Sequence, residues 1–262
     1  MISLKSESEI EKMVIAGAIV AQVLEIMGCE IRAGVTTGEL DHLAEQAIRD
    51  AGGIPAFKGY RGFPASICSS PNSMVVHGIP GDYLVEDGDI VSVDVGVIYD
   101  GYVGDSAWTF AVGDIPEETQ RLLTICEGAL MAGIGQAVVG NRVGDISAAV
   151  QRETESEGFA VIRSLVGHGV GQEMHEEPQV PNFGEAGTGV ELRAGMTIAI
   201  EPMITAGTHE VVVADDEWSI STADGSLSAH FEHTVAITAE GPKILTLKSV
   251  PDSTKAANSL LR

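Results

Sequence analysis

From Ile90 to Asp105 the chain reads IVSVDVGVIYDGYVGD, and its positions alternate. Ile90, Ser92, Asp94, Gly96 and Ile98 share one parity, while Val91, Val93, Val95 and Val97 fill the other. A run so rich in β-branched residues suits a half-buried or fully buried strand. Asp100-Gly101 is a dipeptide that tight hairpin turns favour, because both central residues take positive φ. A turn centred there pairs Val97 with Gly104 and Gly96 with Asp105. It also sets Asp94 one same-face step from Asp105, diagonally across the ladder. Diagonal neighbours lie roughly 7–8 Å apart at Cα, within reach of each other's side chains. Two carboxylates inside an apolar hairpin repel each other and lose hydration. A cation, most economically a metal, is expected between them.

Elsewhere the apolar period is helical. Ser6 and Glu9 have capping-box spacing ahead of Ile10, Met13, Val14, Val20, Leu24 and Met27, which predicts a helix ending near Gly28. Thr36 and Glu39 repeat the signal before Leu40, Leu43, Ala44, Ala47 and Ile48, and Gly52-Gly53 ends that helix. Residues 57–76 are rich in Gly, Pro and Ser and read as loops and short strands. Pro116, with Glu117 and Glu118 in the first turn, opens a third helix to about Val139. A fourth runs from about Asp145 to Glu157. Strands are expected near 160–166, 197–204, 211–213, 218–222 and 228–238, and the polar tail after Pro251 is expected to fray.

The order helix, helix, strands occurs twice. Gly34, Gly38 and Gly52 are matched in spacing by Gly140, Gly144 and Gly158. His77 precedes Pro80 as His175 precedes Pro178, and GDIVSVD aligns with GMTIAIE, setting Glu201 where Asp94 sits. We read an α+β fold built by internal duplication, two halves related by a pseudo-two-fold and each carrying acids into a shared cleft.

Composition narrows the partners. The 262 residues carry a formal net charge of −23, which argues against DNA or an anionic membrane. It suits a cationic ligand such as a peptide N-terminus, although excess acid commonly serves solubility alone. Three cysteines without a CxxC spacing suggest reduced thiols and a cytoplasmic location. The N-terminus lacks an apolar signal core, and no stretch is expected to be long and apolar enough to span a bilayer.

The acids placed in apolar strands are Asp94, Asp105, Glu201 and Glu232. Any one of them could face solvent, but four together, two of them related by the repeat, point to a site. His168 and His175 lie in GHGVGQEMHEEP, and His77 stands just before the hairpin. His42, His209, His230 and His233 are expected to be supporting or exposed. Four carboxylates and one imidazole suit two divalent cations such as Mn, Fe, Co or Zn, and four negative ligands balance two dications. Paired metals lower the pKa of a bridging water, a hydrolase design that needs no serine or cysteine nucleophile.

The segments HGIP, DVGVIYDGYVGD, GHGVGQEMHEEPQVPN, GMTIAIEPM and SLSAHFEHT resemble those of type I methionine aminopeptidases, and the resemblance runs from the first helix to about Leu247. It implies the pita-bread fold, a curved antiparallel sheet flanked by two helix pairs. It implies one catalytic domain over residues 1–250, with halves of about 1–112 and 113–250, followed by a tail, 251–262. By the resemblance, Asp94, Asp105, His168, Glu201 and Glu232 hold two divalent ions, with Asp105 and Glu232 bridging. His77 and His175 contact the scissile amide and the tetrahedral intermediate, and Glu201 also acts on the nucleophilic water. The implied reaction removes the initiator methionine from new proteins whose second residue is small. A formylated amine would lose its contact with metal and acids, so deformylation should come first.

Tyr60, Phe63, Cys68 and Trp218 match the family's methionine pocket, and Phe57 lies nearby in sequence, where core packing serves as well. Met174 departs from the usual aromatic and implies a softer wall. A sodium or potassium ion held by backbone around Asn72, Met74 and Ser228 is also implied. The expected protein is a monomer that acts on nascent chains. Its ribosome association should be weak, because residues 205–227 contain no Lys or Arg. Two other readings share the fold: an Xaa-Pro peptidase, which usually carries an extra N-terminal domain, and a non-catalytic binding module, which typically loses metal ligands.

Overall fold

Capping follows the local sequence in the computed structural model, which describes residues 2–247. The tail expected to fray after Pro251 lies outside the described residues. Helix α1 spans Glu7–Glu30, and the Ser6 N–H and hydroxyl both donate to Glu9 Oε2 at 2.7 Å. Helix α2 spans Thr37–Asp50, where the Thr36 hydroxyl accepts from the Glu39 N–H and the Thr36 N–H donates to the Glu39 carboxylate. Helices α3, Glu117–Gln136, and α4, Val143–Glu155, form the second pair. Gly28 does not stop α1. It lies inside the helix, where its bare Cα admits the Phe110 ring, which a Cβ would meet at 2.9 Å.

The hairpin has the expected register. Strands Ile90–Tyr99 and Tyr102–Ala111 pair Gly96 with Asp105 and Val97 with Gly104. Asp100 and Gly101 take φ of 46° and 79°. Ile67–Pro71 and Ile54–Pro55 flank Ile90–Tyr99 in a four-stranded antiparallel sheet. Val91, Val93, Val95 and Val97 are fully buried and pack with Val20, Leu40 and Ile48 of α1 and α2. The second helix pair covers a five-stranded sheet in the order 241–244, 233–238, 197–200, 166–169, 176–181. Leu130 and Ile146 pack there with Ile198, Ile200 and Val235.

The two helix pairs are tied down alike. The N–H of Gly34 donates to Val85 O as that of Gly140 donates to Leu192 O, with φ of 88° and 92° at the two glycines. The N–H of Thr37 donates to Tyr83 O as that of Val143 donates to Val190 O.

Several strands differ from expectation. The strand expected over 160–166 divides into Ala160–Val161 and Val166–Gly169. The expected 197–204 and 228–238 are each broken, at Glu201-Pro202 and at Phe231-Glu232. Pro202 lacks an N–H to give the ladder. Its carbonyl accepts from the Phe231 N–H, and the Glu232 N–H crosses to Ala107 O of the hairpin at 2.9 Å. Glu176–Pro181, EEPQVP, was not among the expected strands. It forms the sheet's edge strand, where proline is tolerated. Gly241–Ile244 closes the opposite edge and carried too short a pattern to be foreseen.

Helix α1 also corrects an expectation. At 24 residues it is long and apolar enough to cross a membrane, although half of its most apolar stretch is buried. Met13, Ala16, Val20 and Met27 are fully buried. A Cβ on Gly104 would lie 2.6 Å from Gly17 N, so helix and hairpin backbones touch. This is the core helix of the first half.

Candidate metal centre

The sequence-predicted acids converge on one cavity of about 290 Å³ between the halves. The hairpin supplies Asp94 and Asp105, whose carboxyls lie within hydrogen-bonding reach of each other. The strand Val166–Gly169 supplies His168. A Cβ on Gly167 would lie 2.4 Å from Ala199 O and one on Gly169 2.3 Å from Glu177 O, so the flanking glycines let neighbouring strands close around the imidazole. Glu201 and Glu232 come from the two strand breaks, not from within strands as expected. Asn182 Nδ2 donates to Glu201 O at 2.9 Å, and the Ser106 hydroxyl donates to Glu232 O. Leaving the ladder is what lets both carboxylates turn into the cleft.

The ligand atoms of Asp105, His168 and Glu232 lie within 4.8 Å of one another. His168 Nε2 is 3.4 Å from Glu201 Oε1 and 3.7 Å from Asp105 Oδ2. His168 Nδ1 bonds to Gly169 O at 2.9 Å. That contact places the proton on Nδ1 and turns the Nε2 lone pair toward the acids.

Burial, then mutual repulsion, pushes Asp94, Glu201 and Glu232 well above the usual carboxylate range. Burial raises Asp105 to about 7 against the opposing hydrogen bond with Asp94. Asp94 Oδ1, Asp105 Oδ1 and Glu232 Oε1 are buried without a hydrogen-bond partner. Orphaned acceptors of this kind are costly. Oxygen-rich, anionic and fitted with one imidazole lone pair, the donor set suits divalent cations.

His175 and His77 line the same cavity. Tyr60 OH lies 2.8 Å from His175 Nδ1, and the two rings stack. Burial lowers His175 to about 4 and lowers His77 as well, so both are neutral near pH 7. His77 has φ of 60°, a left-handed conformation seldom adopted outside glycine. The apolar wall is Phe63 edge-on to Trp218 at 5.1 Å, with Cys68 and Met174. Phe57 lines it too: Gly96 lacks the Cβ that would meet Phe57 at 2.6 Å and Met174 at 2.8 Å. Burial pushes the Cys68 thiol well up, with the nearby acids adding to the shift, so it is an inert wall group.

Asn72 and Ser228 meet away from this cavity: the Ser228 N–H donates to Asn72 O at 2.9 Å, and Met74 begins the adjoining strand. His42 and His209 are surface residues, as expected. His230 is the residue that sequence reasoning undervalued. It is 2% exposed, and its Nε2 has no hydrogen-bond partner and lies 3.8 Å from Glu201 Oε2. Its parity with Glu232 in SAHFEHT was the available signal. His233 is also buried, but its Nδ1 meets Thr246 Oγ1 at 2.8 Å, off the centre. Arg61, at the cavity mouth, carried no signal at all.

A buried cluster of acids and one imidazole, set at the seam of two helix-covered halves, defines a metallohydrolase site. The chain belongs to metallopeptidase family M24, whose model matches residues 11–239, and within it to the methionine aminopeptidases. It is 51% identical to the methionine aminopeptidase of Clostridium perfringens over 247 residues, 94% of this chain and 99% of that protein. It is 48% identical to methionine aminopeptidase 1 of Bacillus subtilis, again over 94% and 99%. The crystal structure of methionine aminopeptidase from Thermotoga maritima matches with a TM-score of 0.93 at 47% identity, covering 94% of this chain and 100% of that one. The prolidase from Pyrococcus horikoshii matches at 0.76 and 25% identity, with 95% and 64% covered. The fold is the pita-bread fold of these proteins.

Proposed function

We propose that this chain is a methionyl aminopeptidase that removes the initiator methionine from deformylated nascent proteins whose second residue is small. The observation that carries this reading is the apolar slot of Phe63, Cys68 and Trp218 opening directly onto the buried acid cluster. Such a slot suits an unbranched thioether, and the anionic floor suits a free α-amine.

Asp94, Asp105, His168, Glu201 and Glu232 would hold two divalent cations. When bound, such a pair supplies a water activated at neutral pH and a Lewis acid for the carbonyl. Glu201 would accept the attacking water's proton and pass it to the leaving amine. With Tyr60 donating to Nδ1, His175 keeps an Nε2–H to donate to the carbonyl oxygen as charge develops there. His77 would contact the scissile amide from the opposite wall. A sodium or potassium ion beside Asn72, Met74 and Ser228 would brace the loop outside the cavity.

The Xaa-Pro reading shares the acid floor, but the aromatic slot favours a long apolar first side chain. A role on nascent chains fits a cytoplasmic location, and the chain is read as a monomer. Weak ribosome association is supported by the rim at 205–227, where Asp216 and Asp224 hold turns and no cation is present.

The test is hydrolysis by the protein reconstituted with Mn²⁺ or Co²⁺. Met-Ala-Ser should be cleaved, and its formylated form and an Ala-Pro dipeptide should be spared. Preferential cleavage of Ala-Pro would establish the Xaa-Pro reading instead. No hydrolysis together with no metal uptake would leave a binding module.

A further inference from the structure

The mouth of the cavity carries a single cation. Arg61 is the one Lys or Arg among the residues lining it, in a chain of net charge −23. Its backbone is left-handed, with φ of 49° and ψ of 22°, in a turn set by Gly59 and Gly62 at φ of 86° and 93°. A non-glycine residue persists in that region only where its surroundings hold it. The guanidinium carbon lies 5.3 Å from the Tyr60 ring centroid, on the same Tyr60 whose hydroxyl meets His175. Among the described residues no carboxylate pairs with Arg61, whereas Arg49, Arg121 and Arg163 each have one at 2.7 to 3.5 Å. Arg61 is exposed, and a guanidinium held over a ring can still bond through its N–H edges.

We infer that Arg61 sets a charge preference at the third residue of the substrate, drawing in a carboxylate and disfavouring a cation. The inference rests on the aminopeptidase reading. A peptide with its first side chain between Phe63 and Trp218 and its scissile bond at His175 leaves past Tyr60. An extended chain advances about 3.3 Å per residue, so the third residue lies roughly 7 Å beyond the first, toward the side of the cavity that Tyr60 and Arg61 line. A free guanidinium edge matches a carboxylate with two parallel hydrogen bonds. The negative field of the whole molecule repels acidic substrates generally, so the local effect of Arg61 is isolated only by comparing variants.

The experiment measures kcat/KM of the Mn²⁺-loaded full chain at low salt on Met-Ala-Glu-Ser amide and Met-Ala-Lys-Ser amide. The Glu/Lys ratio is compared in wild type, Arg61→Asn and Arg61→Lys. Asparagine tolerates the left-handed backbone, so the loop is preserved. Because each ratio is taken within one preparation, metal content and folded fraction cancel. The ratio should fall at least about fivefold in Arg61→Asn and stay near the wild-type value in Arg61→Lys. Raising the salt should shrink the difference. A ratio the same in Arg61→Asn as in wild type, with both peptides cleaved, overturns the assignment of Arg61 and leaves the aminopeptidase reading intact. Failure to cleave either peptide overturns both.

Discussion

Tyr60 orients His175 through one hydrogen bond of 2.8 Å and a stacked ring. Tyr60→Phe keeps the stack and removes the bond. A neutral hydrogen bond of this kind contributes about 0.5–1.5 kcal/mol, so kcat on Met-Ala-Ser should fall roughly two- to tenfold. Bound metal, counted by atomic absorption, should not change. An unaltered kcat would remove Tyr60 from the positioning of His175. At the same scale, Asp94→Asn removes one of the orphaned anionic oxygens. It should lower metal stoichiometry and abolish most turnover; a variant with full metal content would contradict the proposed ligand set. These side chains were legible as residue types, because acids in valine-rich strands and glycine-flanked histidines are unusual. Arg61 was not: nothing in GYRGF distinguishes a cavity mouth from any exposed turn.

The hairpin and α1 form the unit that presents Asp105. Their contact is backbone on backbone: a Cβ on Gly104 would lie 2.6 Å from Gly17 N and 2.8 Å from Ala16 C, with no flexible side-chain end to yield. Gly104→Ala should therefore cost about 1–3 kcal/mol, read as a lower urea midpoint at constant m-value. The same variant should bind metal more weakly, since residue 104 adjoins Asp105. An unchanged midpoint would mean that the helix can retreat without penalty. At this scale the hairpin register was readable to the residue, because Asp-Gly fixes the turn and alternation fixes the faces. The breaks at Glu201-Pro202 and Phe231-Glu232 were not. They depend on hydrogen bonds across distant segments, among them Glu232 N to Ala107 O. EEPQVP went unassigned for a related reason: only the finished sheet makes it an edge strand.

Over the whole molecule, buried groups of opposite kinds shape stability against pH. Asp105 has a pKa of about 7 in the fold, and Asp94, Glu201 and Glu232 are raised well beyond the ordinary range. The metal-free native state thus binds more protons than the unfolded chain, and stability declines as pH rises through about 7. His175 and His233, lowered to about 4, and His230, lowered to about 3, act oppositely: their contribution is whole above their unfolded pKa and is lost as pH falls through those values. Above about pH 7.5 the imidazoles are nearly all neutral in both states, and the acids alone decide the slope. EDTA-treated protein should therefore melt at progressively lower temperature between about pH 7.5 and 8.5. Saturating Mn²⁺ should flatten that slope and raise the midpoint by roughly 5–10 °C at one hundred times Kd. A metal-free midpoint that rises over this interval would contradict the clustering of the acids.

By itself the sequence determined the helix caps, the hairpin with its register, the duplicated order of elements and the residue types of a metallohydrolase, because each of these is written in local spacing and periodicity. Only the tertiary structure decided that Glu201 and Glu232 leave their strands, that His230 lies against Glu201 and that Arg61 guards the opening. Convergence of this kind joins residues distant in sequence through packing within and between the halves, and no local pattern encodes such a meeting.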